Sequence, residues 1–409
     1  MKLFNIIAIL ITISAVFSYI NHRTVRLPNT IGVMLIALLG SLVLILLGPL
    51  SLGLKESTRQ LLSSIDFDET LLHGMLSFLL FAGALHIDLS DLYQQRRIIS
   101  LLATVGVVGS TFIIGAAAWW ILGRLGIEAS FIFCLLFGSL ISPTDPIAVL
   151  SILKKAGVPK SLEVKISGES LFNDGVAVVV FLVLLKLASG TEPVSFWSIS
   201  KLFAVEVVGG IGYGIIIGLF SFWMLKSVDN YQVEILITLA LVSGGYALAD
   251  YLHISGPIAV VVAGLLIGNH GRMLAMSDTT RQHLDMFWEL VDEILNAVLF
   301  VLIGLEVMVL SFSKAYFTAG VLLIPIVVLS RFISVGIPVA MLRPFRSFSP
   351  HVVKILTWGG LRGGISVALA LSLPAGTGRD AILFMTYSIV VFSIVFQGLT
   401  IGKLVRAFR

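Results

Sequence analysis

The chain has 409 residues, of which 57% are hydrophobic and only 12% charged, against about 45–50% apolar and about 25% charged in ordinary soluble domains. This excludes a water-soluble globular protein and leaves little chain for an extramembrane domain. The net charge of +4, from 27 Lys and Arg against 23 Asp and Glu, belongs to membrane topology rather than to nucleic acid binding, because basic side chains collect on the cytoplasmic side of a bilayer. A single cysteine, Cys134, gives no internal disulfide and no cysteine-based zinc site, and the seven histidines form no HExxH pair. No cofactor is expected.

A bilayer core about 30 Å thick needs about 20 apolar residues per helical span. Apolar runs bounded by charged or Pro, Gly and Asn clusters predict spans at about 3–20, 29–49, 70–88, 98–124, 129–155 and 162–188. A seventh is expected at about 199–226, and six more at about 231–251, 255–270, 283–311, 316–342, 352–375 and 380–403. The expected fold is an all-α polytopic membrane protein of about 13 transmembrane helices, without a soluble tail. The first run, Leu3 to Ile20, is read as a span; the alternative is a signal peptide cleaved near Ser14, Ala15 or Ser18.

Basic residues fall mostly in one set of connections, among them Arg96, Arg97, Lys154, Lys155, Lys160 and Lys165, and sparsely in the other, with Lys55, Arg124, Lys314 and Arg379. That asymmetry places the C-terminus in the cytoplasm and the N-terminus outside a cell membrane. Two arginines, Arg331 and Arg362, fall within spans. The spans also repeat: the third, fourth and sixth start about 213–218 residues before the tenth, eleventh and thirteenth. An offset of seven spans inverts the second half in the membrane, as in secondary transporters. Repeat one covers about 3–188, a linker helix about 199–226 and repeat two about 231–403.

Inverted-repeat transporters place their site where helices in matching positions are interrupted. The fifth span contains Ser142-Pro143-Thr144-Asp145-Pro146, whose prolines prevent a continuous α-helix. The twelfth contains Gly359-Gly360-Leu361-Arg362-Gly363-Gly364, four glycines that lower the cost of unwinding. An acid in one break and an arginine in the other favour a functional crossover over a pair of kinked core helices. Asp145 and Arg362 are expected to neutralise the exposed helix-end dipoles.

The sixth span carries Glu169, Ser170, Asn173 and Asp174. Ser170 with Asp174, and Glu169 with Asn173, are i,i+4 neighbours, so two polar stripes lie side by side. Each ionised group near the bilayer centre costs about 2.5–3.5 kcal/mol on insertion scales, so such a cluster must pair or function. Asp174 has no partner in its own helix and is the first candidate for a transported-ion ligand. Hard cations such as sodium take oxygen donors, and the Ser170 hydroxyl and a Thr144 carbonyl or hydroxyl can add them. Glu169 reads as half of a structural salt bridge to Arg331 or Arg362, and Asn173 as an orienting partner. His73, His86, Met273 and Met276 read as packing or loop residues.

Asp145, Glu169 and Asp174 against Arg331 and Arg362 leave one negative charge, which one monovalent cation or one proton balances. Competition at Asp174 then gives one-for-one, electroneutral exchange, taking Glu206 and Glu306, nearer the helix ends, as outside the site. Two other classes compete. A channel would also use broken helices, though a buried negative site bracketed by arginines suits bind-and-release better. A proton-coupled symporter of a small anion would use Arg362, if Glu169 pairs with Arg331 instead. An enzyme lacks support: neither GxSxG nor a zinc triad is visible.

At Thr144-Asp145-Pro146 and Gly168-Glu169-Ser170-Leu171-Phe172-Asn173-Asp174-Gly175 the chain resembles the NhaP-type sodium/proton antiporters, prokaryotic relatives of animal sodium/hydrogen exchangers. Arg26-Leu27-Pro28, Gly256-Pro257, the Ala263–Asn269 segment, Gly304-Leu305-Glu306 and Gly359–Gly363 extend the likeness nearly end to end. The resemblance implies a homodimer with a dimerisation domain and a six-helix core that moves to give alternating access. It implies Asp174 as cation and proton carrier, Ser170 and Thr144 as co-ligands, Glu169 as structural, and Asn173 as a mark of electroneutral exchange. Phe81-Ala82-Gly83 stands where family members often carry Phe-Glu-Gly, which puts the choice among sodium, lithium and potassium in question. The chain stops at Arg409 without the long tail that regulates many relatives.

Overall fold

The computed structural model describes residues 3–47, 70, 74–146, 149–150, 152–153, 158–190, 195–345, 348–374 and 378–407. The predicted start of the third span with His73, and Lys154 and Lys155 in the fifth, lie outside these residues.

Every regular element described is a helix. The first half comprises α1 (Leu3–Ile20), α2 (Asn29–Leu47), α3 (Leu76–Leu85), α4 (Leu89–Leu101), α5 (Val107–Arg124), α6 (Phe131–Ile141) and α7 (Lys160–Ala188). There follow α8 (Phe196–Lys226), α9 (Tyr231–Tyr251), α10 (Gly256–Leu266), α11 (Asp278–Glu306) and α12 (Lys314–Leu342). The last are α13 (Val352–Trp358), α14 (Gly364–Leu371), α15 (Arg379–Phe392) and α16 (Gly398–Ala407). Among the described residues nine continuous helical segments are long and apolar enough to cross a membrane. The shorter apolar helices α3 and α6 add to them.

Helix starts follow local chemistry. Ser130, Ser195, Ser255 and Ser277 accept amide hydrogens at the N-termini of α6, α8, α10 and α11, and Asn230 does so for α9, each satisfying a donor that the helix leaves open. Pro257 occupies the first turn of α10, where its missing amide hydrogen is no loss.

The stretch 89–97, expected as a connection because of Arg96 and Arg97, is helical. Asp88 caps α4 through the amides of Ser90 and Asp91, while Leu92, Ile98 and Ile99 are buried and the charged residues lie on the opposite side. A π-helical turn, Leu102–Gly106, joins α4 to α5, so Leu89–Arg124 forms one 36-residue helical segment. At the other end of the chain, α11 stops at Glu306 rather than near 311. Tight turns from Leu305 to Met308 and from Glu306 to Val309 close it.

The helices pack as two groups. In one, α2 lies along α11, α3 and α8 lie against α10, and α9 and α1 complete the layer. In the other, α5 pairs with α6 and α12, α7 lies against α4 and α6, and α12 to α16 close around them. The groups meet chiefly where α7 touches α8 and α10 and where α11 touches α14. The α5–α6 contact is close because Gly138 has no side chain: a Cβ there would collide with the carbonyl of Thr111. Small residues allow such backbone approach between membrane helices.

Candidate ion-binding site

The two interrupted helices meet. Helix α6 ends at Ile141 and α13 at Trp358, and the unwound segments after them pair: the Asp145 amide donates to the Leu361 carbonyl at 2.8 Å in an isolated antiparallel bridge. Prolines on one side interrupt the helix and glycines on the other lower the cost of unwinding, so backbone groups at membrane depth find partners across the crossover instead of in a ladder.

Each break is stabilised by the charge of the other. Arg362, 2% exposed, donates from Nη1 to the carbonyls of Ser142 and Pro143, both at 2.9 Å. These carbonyls end α6, so the guanidinium answers both open acceptors and the negative end of the helix dipole. The Arg362 amide donates to Ser393 Oγ at 2.9 Å, and Ser393 donates to Gln397 at 2.6 Å, within the π-helical turn Ser393–Gln397. On the opposite side, the Asp145 carboxylate lies against Gly363, at the start of α14, where a Cβ would overlap it. An acid is thereby placed at the positive end of α14.

Helix α7 passes beside this crossover with its polar stripes turned in. Ser170 Oγ donates to the Thr144 carbonyl. Asn173 holds the same residue twice, donating from Nδ2 to Thr144 Oγ1 at 2.9 Å and accepting the Thr144 amide at 3.4 Å. Glu169 forms a buried ion pair with Arg331 of α12, and Arg331 Nε lies over Gly360, where a Cβ would be 2.6 Å away. Of the two partners left open for Glu169 by the sequence, Arg331 is therefore the one it meets. Asp174, one turn beyond Ser170, is 7% exposed. Among the described residues no hydrogen bond or ion pair reaches its carboxylate, and the charge it feels most is that of Asp145.

A sequence model of sodium/hydrogen exchangers, transmembrane, matches residues 10–407. The chain belongs to the sodium/hydrogen exchanger family. It is 52% identical to the Na(+)/H(+) antiporter NhaP of Pseudomonas aeruginosa over 407 residues, covering 98% of this chain and 96% of the relative. It is 35% identical to the Na(+)/H(+) antiporter NhaH of Halobacillus dabanensis, over 90% of this chain and 91% of that one. In structure it resembles the sodium proton antiporter MjNhaP1 of Methanocaldococcus jannaschii at pH 8, with a TM-score of 0.76 and 20% identity, covering 100% of this chain and 99% of that one. That likeness shows a shared fold.

Within this exchanger fold the eight residues singled out from the sequence, Thr144, Asp145, Glu169, Ser170, Asn173, Asp174, Arg331 and Arg362, gather on α7, α12 and the two breaks. Asp292 of α11 was not singled out. Asn296 donates to its Oδ1 at 3.1 Å and to its carbonyl at 2.8 Å, and the Asp292 and Asp145 charges repel each other. Its signal in the sequence is the i,i+4 Asp–Asn pair, the same spacing as Ser170–Asp174. With Asp292 included, the carboxylates near the crossover exceed the two arginines by two, not one. The charge count alone therefore does not fix one-for-one exchange. His86 binds the Ala82 carbonyl of its own helix at 2.8 Å, and Met276 is buried while Met273 is exposed.

Proposed function

We propose that this chain is a secondary antiporter exchanging sodium, or lithium or potassium, for a proton, by competition at Asp174. The observation that carries the reading is a buried carboxylate with no partner among the described residues, beside two unwound segments, in a chain of the sodium/hydrogen exchanger family. Deprotonated, Asp174 holds the cation together with the Ser170 hydroxyl and the Thr144 carbonyl, which supply the oxygen donors a hard cation takes. Protonated, it is neutral and releases the cation. Asp145 and Arg362 hold the broken ends, Asn173 fixes Thr144, and the Glu169–Arg331 pair holds α7 against α12.

In this reading the chain forms about 13 spans as two inverted six-helix repeats, about 3–188 and 231–403, joined by the linker helix at about 199–226. It works as a homodimer in the plasma membrane, N-terminus outside and C-terminus in the cytoplasm. The group of helices carrying α7 moves against the group carrying α8 and α11, so that Asp174 faces each side in turn. Exchange is one for one: Asn173 stands before Asp174, where the resemblance to NhaP-type antiporters implies that an asparagine marks electroneutral exchange. The anion symporter is disfavoured because Arg362 Nη1 is committed to two carbonyls.

The test is a sealed liposome with an acid interior and a pH dye inside, to which sodium, lithium or potassium is added outside. Native protein alkalinises the interior and Asp174→Asn does not. Proton movement that persists in Asp174→Asn would remove Asp174 from the carrier role.

A further inference from the structure

Glu306 closes α11 and Tyr387 sits midway along α15. Both are buried, at 4% and 7% exposure. Glu306 Oε2 and the Tyr387 hydroxyl each lack a hydrogen-bond partner among the described residues, yet the two groups act on each other electrostatically. The charge nearest in effect to Glu306 is Arg379. That guanidinium is committed elsewhere: Nε donates to the Leu373 carbonyl at 2.7 Å and Nη2 to the Leu371 carbonyl at 3.0 Å. Arg379 thus answers the open end of α14, and its charge is shared with that dipole.

The position is as informative as the chemistry. Leu299 of α11 packs against Gly364, the first residue of α14, beside the crossover. Seven residues further along α11, a rise of about 10 Å, the chain reaches Glu306. Helix α11 belongs to one packing group and α15 to the other, so the Glu306–Tyr387 pair lies in the seam between them. Ser366 of α14 and Thr386 of α15 also carry buried hydroxyls without hydrogen-bond partners among the described residues. A buried carboxylate and a phenol with free oxygen lone pairs are hard-cation donors.

We propose that Glu306 and Tyr387 form a second site for the transported monovalent cation, on the route between Asp174 and the membrane face at which α11 ends. The inference rests on the antiporter reading. It differs from a static role for Glu306, in which the carboxylate only balances Arg379 and binds nothing.

The full chain is inserted in one orientation in vesicles, and sodium-dependent proton flux is measured with sodium added at either face. Glu306→Gln removes one charged ligand, so the apparent Km for sodium rises about tenfold, equivalent to about 1.4 kcal/mol, at the face where α11 ends and stays unchanged at the other. Tyr387→Phe keeps the ring and shifts the same Km in the same direction by less. Equal shifts at both faces, or none in either variant, overturn the proposal; if Glu306→Gln does not assemble, Tyr387→Phe decides alone. Thallium(I), located by anomalous scattering, serves as the direct probe. Thallium at Glu306 in Asp174→Asn supports the site, and its absence there in native protein saturated at Asp174 overturns it. Thallium at Glu306 in a native protein without exchange would leave the site standing and sink the antiporter reading instead.

Discussion

At the scale of residues, the cost of charge inside a bilayer decides what each group is for. Removing one member of a buried pair leaves the other uncompensated and costs about 3–5 kcal/mol, whereas replacing both by apolar residues is often neutral. Arg331→Ala is therefore expected to lower thermal stability in detergent severely, and Glu169→Leu with Arg331→Met to restore most of it; an Arg331→Ala protein as stable as its parent would contradict the structural role of the pair. Asn173→Ala breaks both bonds to Thr144 and is expected to weaken sodium affinity while leaving the protein assembled, as read from the Km of exchange. Most of this site was legible in the sequence, because Glu169, Ser170, Asn173 and Asp174 stand out in an apolar helix. The partner of Glu169 was not, since either buried arginine satisfied the charge. Asp292 was hidden for a different reason: it falls inside the expected span at about 283–311 but among Asp285, Glu289 and Glu293, so little in the sequence sets it apart, and only packing brings it near Asp145.

At the scale of elements, the crossover depends on two unwound segments, one broken by prolines and one eased open by glycines, and on the close approach of their ends. A side chain at Gly363 must displace the Asp145 carboxylate, so Gly363→Ala is expected to abolish exchange while the Glu169–Arg331 pair and the overall helix content persist; circular dichroism beside a flux assay checks both. Helix α4 offers a simpler case. The amides of Asp91 and Ser90 hold the Asp88 carboxyl below its usual range. A group with a lowered folded pKa contributes stability above its unfolded value, near pH 4, and that contribution disappears as pH falls through the folded value. Asp88→Ala is expected to cost about 1 kcal/mol, the usual worth of an N-cap, near neutral pH, with the difference from native closing in acid. The breaks in α6 and α13–α14 were visible as proline and glycine clusters. The helical character of 89–97 was not, because its arginines masked an amphipathic helix whose apolar residues pack on α7.

At the scale of the whole molecule, the two packing groups matter most. Composition and hydropathy announced a multi-pass helical protein, but the division into groups depends on contacts between helices distant in the chain, such as α2 with α11 and α5 with α12, which no local pattern encodes. The seam between them is bridged by Lys186 of α7 and Glu206 of α8 at 3.0 Å, a contact that motion of one group past the other would have to break.

The central claim is that one carboxylate holds cation and proton alternately. It is tested most directly by measuring the apparent Km for sodium across a pH series, with a potassium ionophore clamping the membrane potential. Competition at Asp174 predicts a Km that rises in proportion to proton concentration on the acid side, a maximal rate that protons on the same face do not change, and no response to the clamped potential. A Km that stays constant while the maximal rate alone varies with pH would place cation and proton at separate groups and contradict the account.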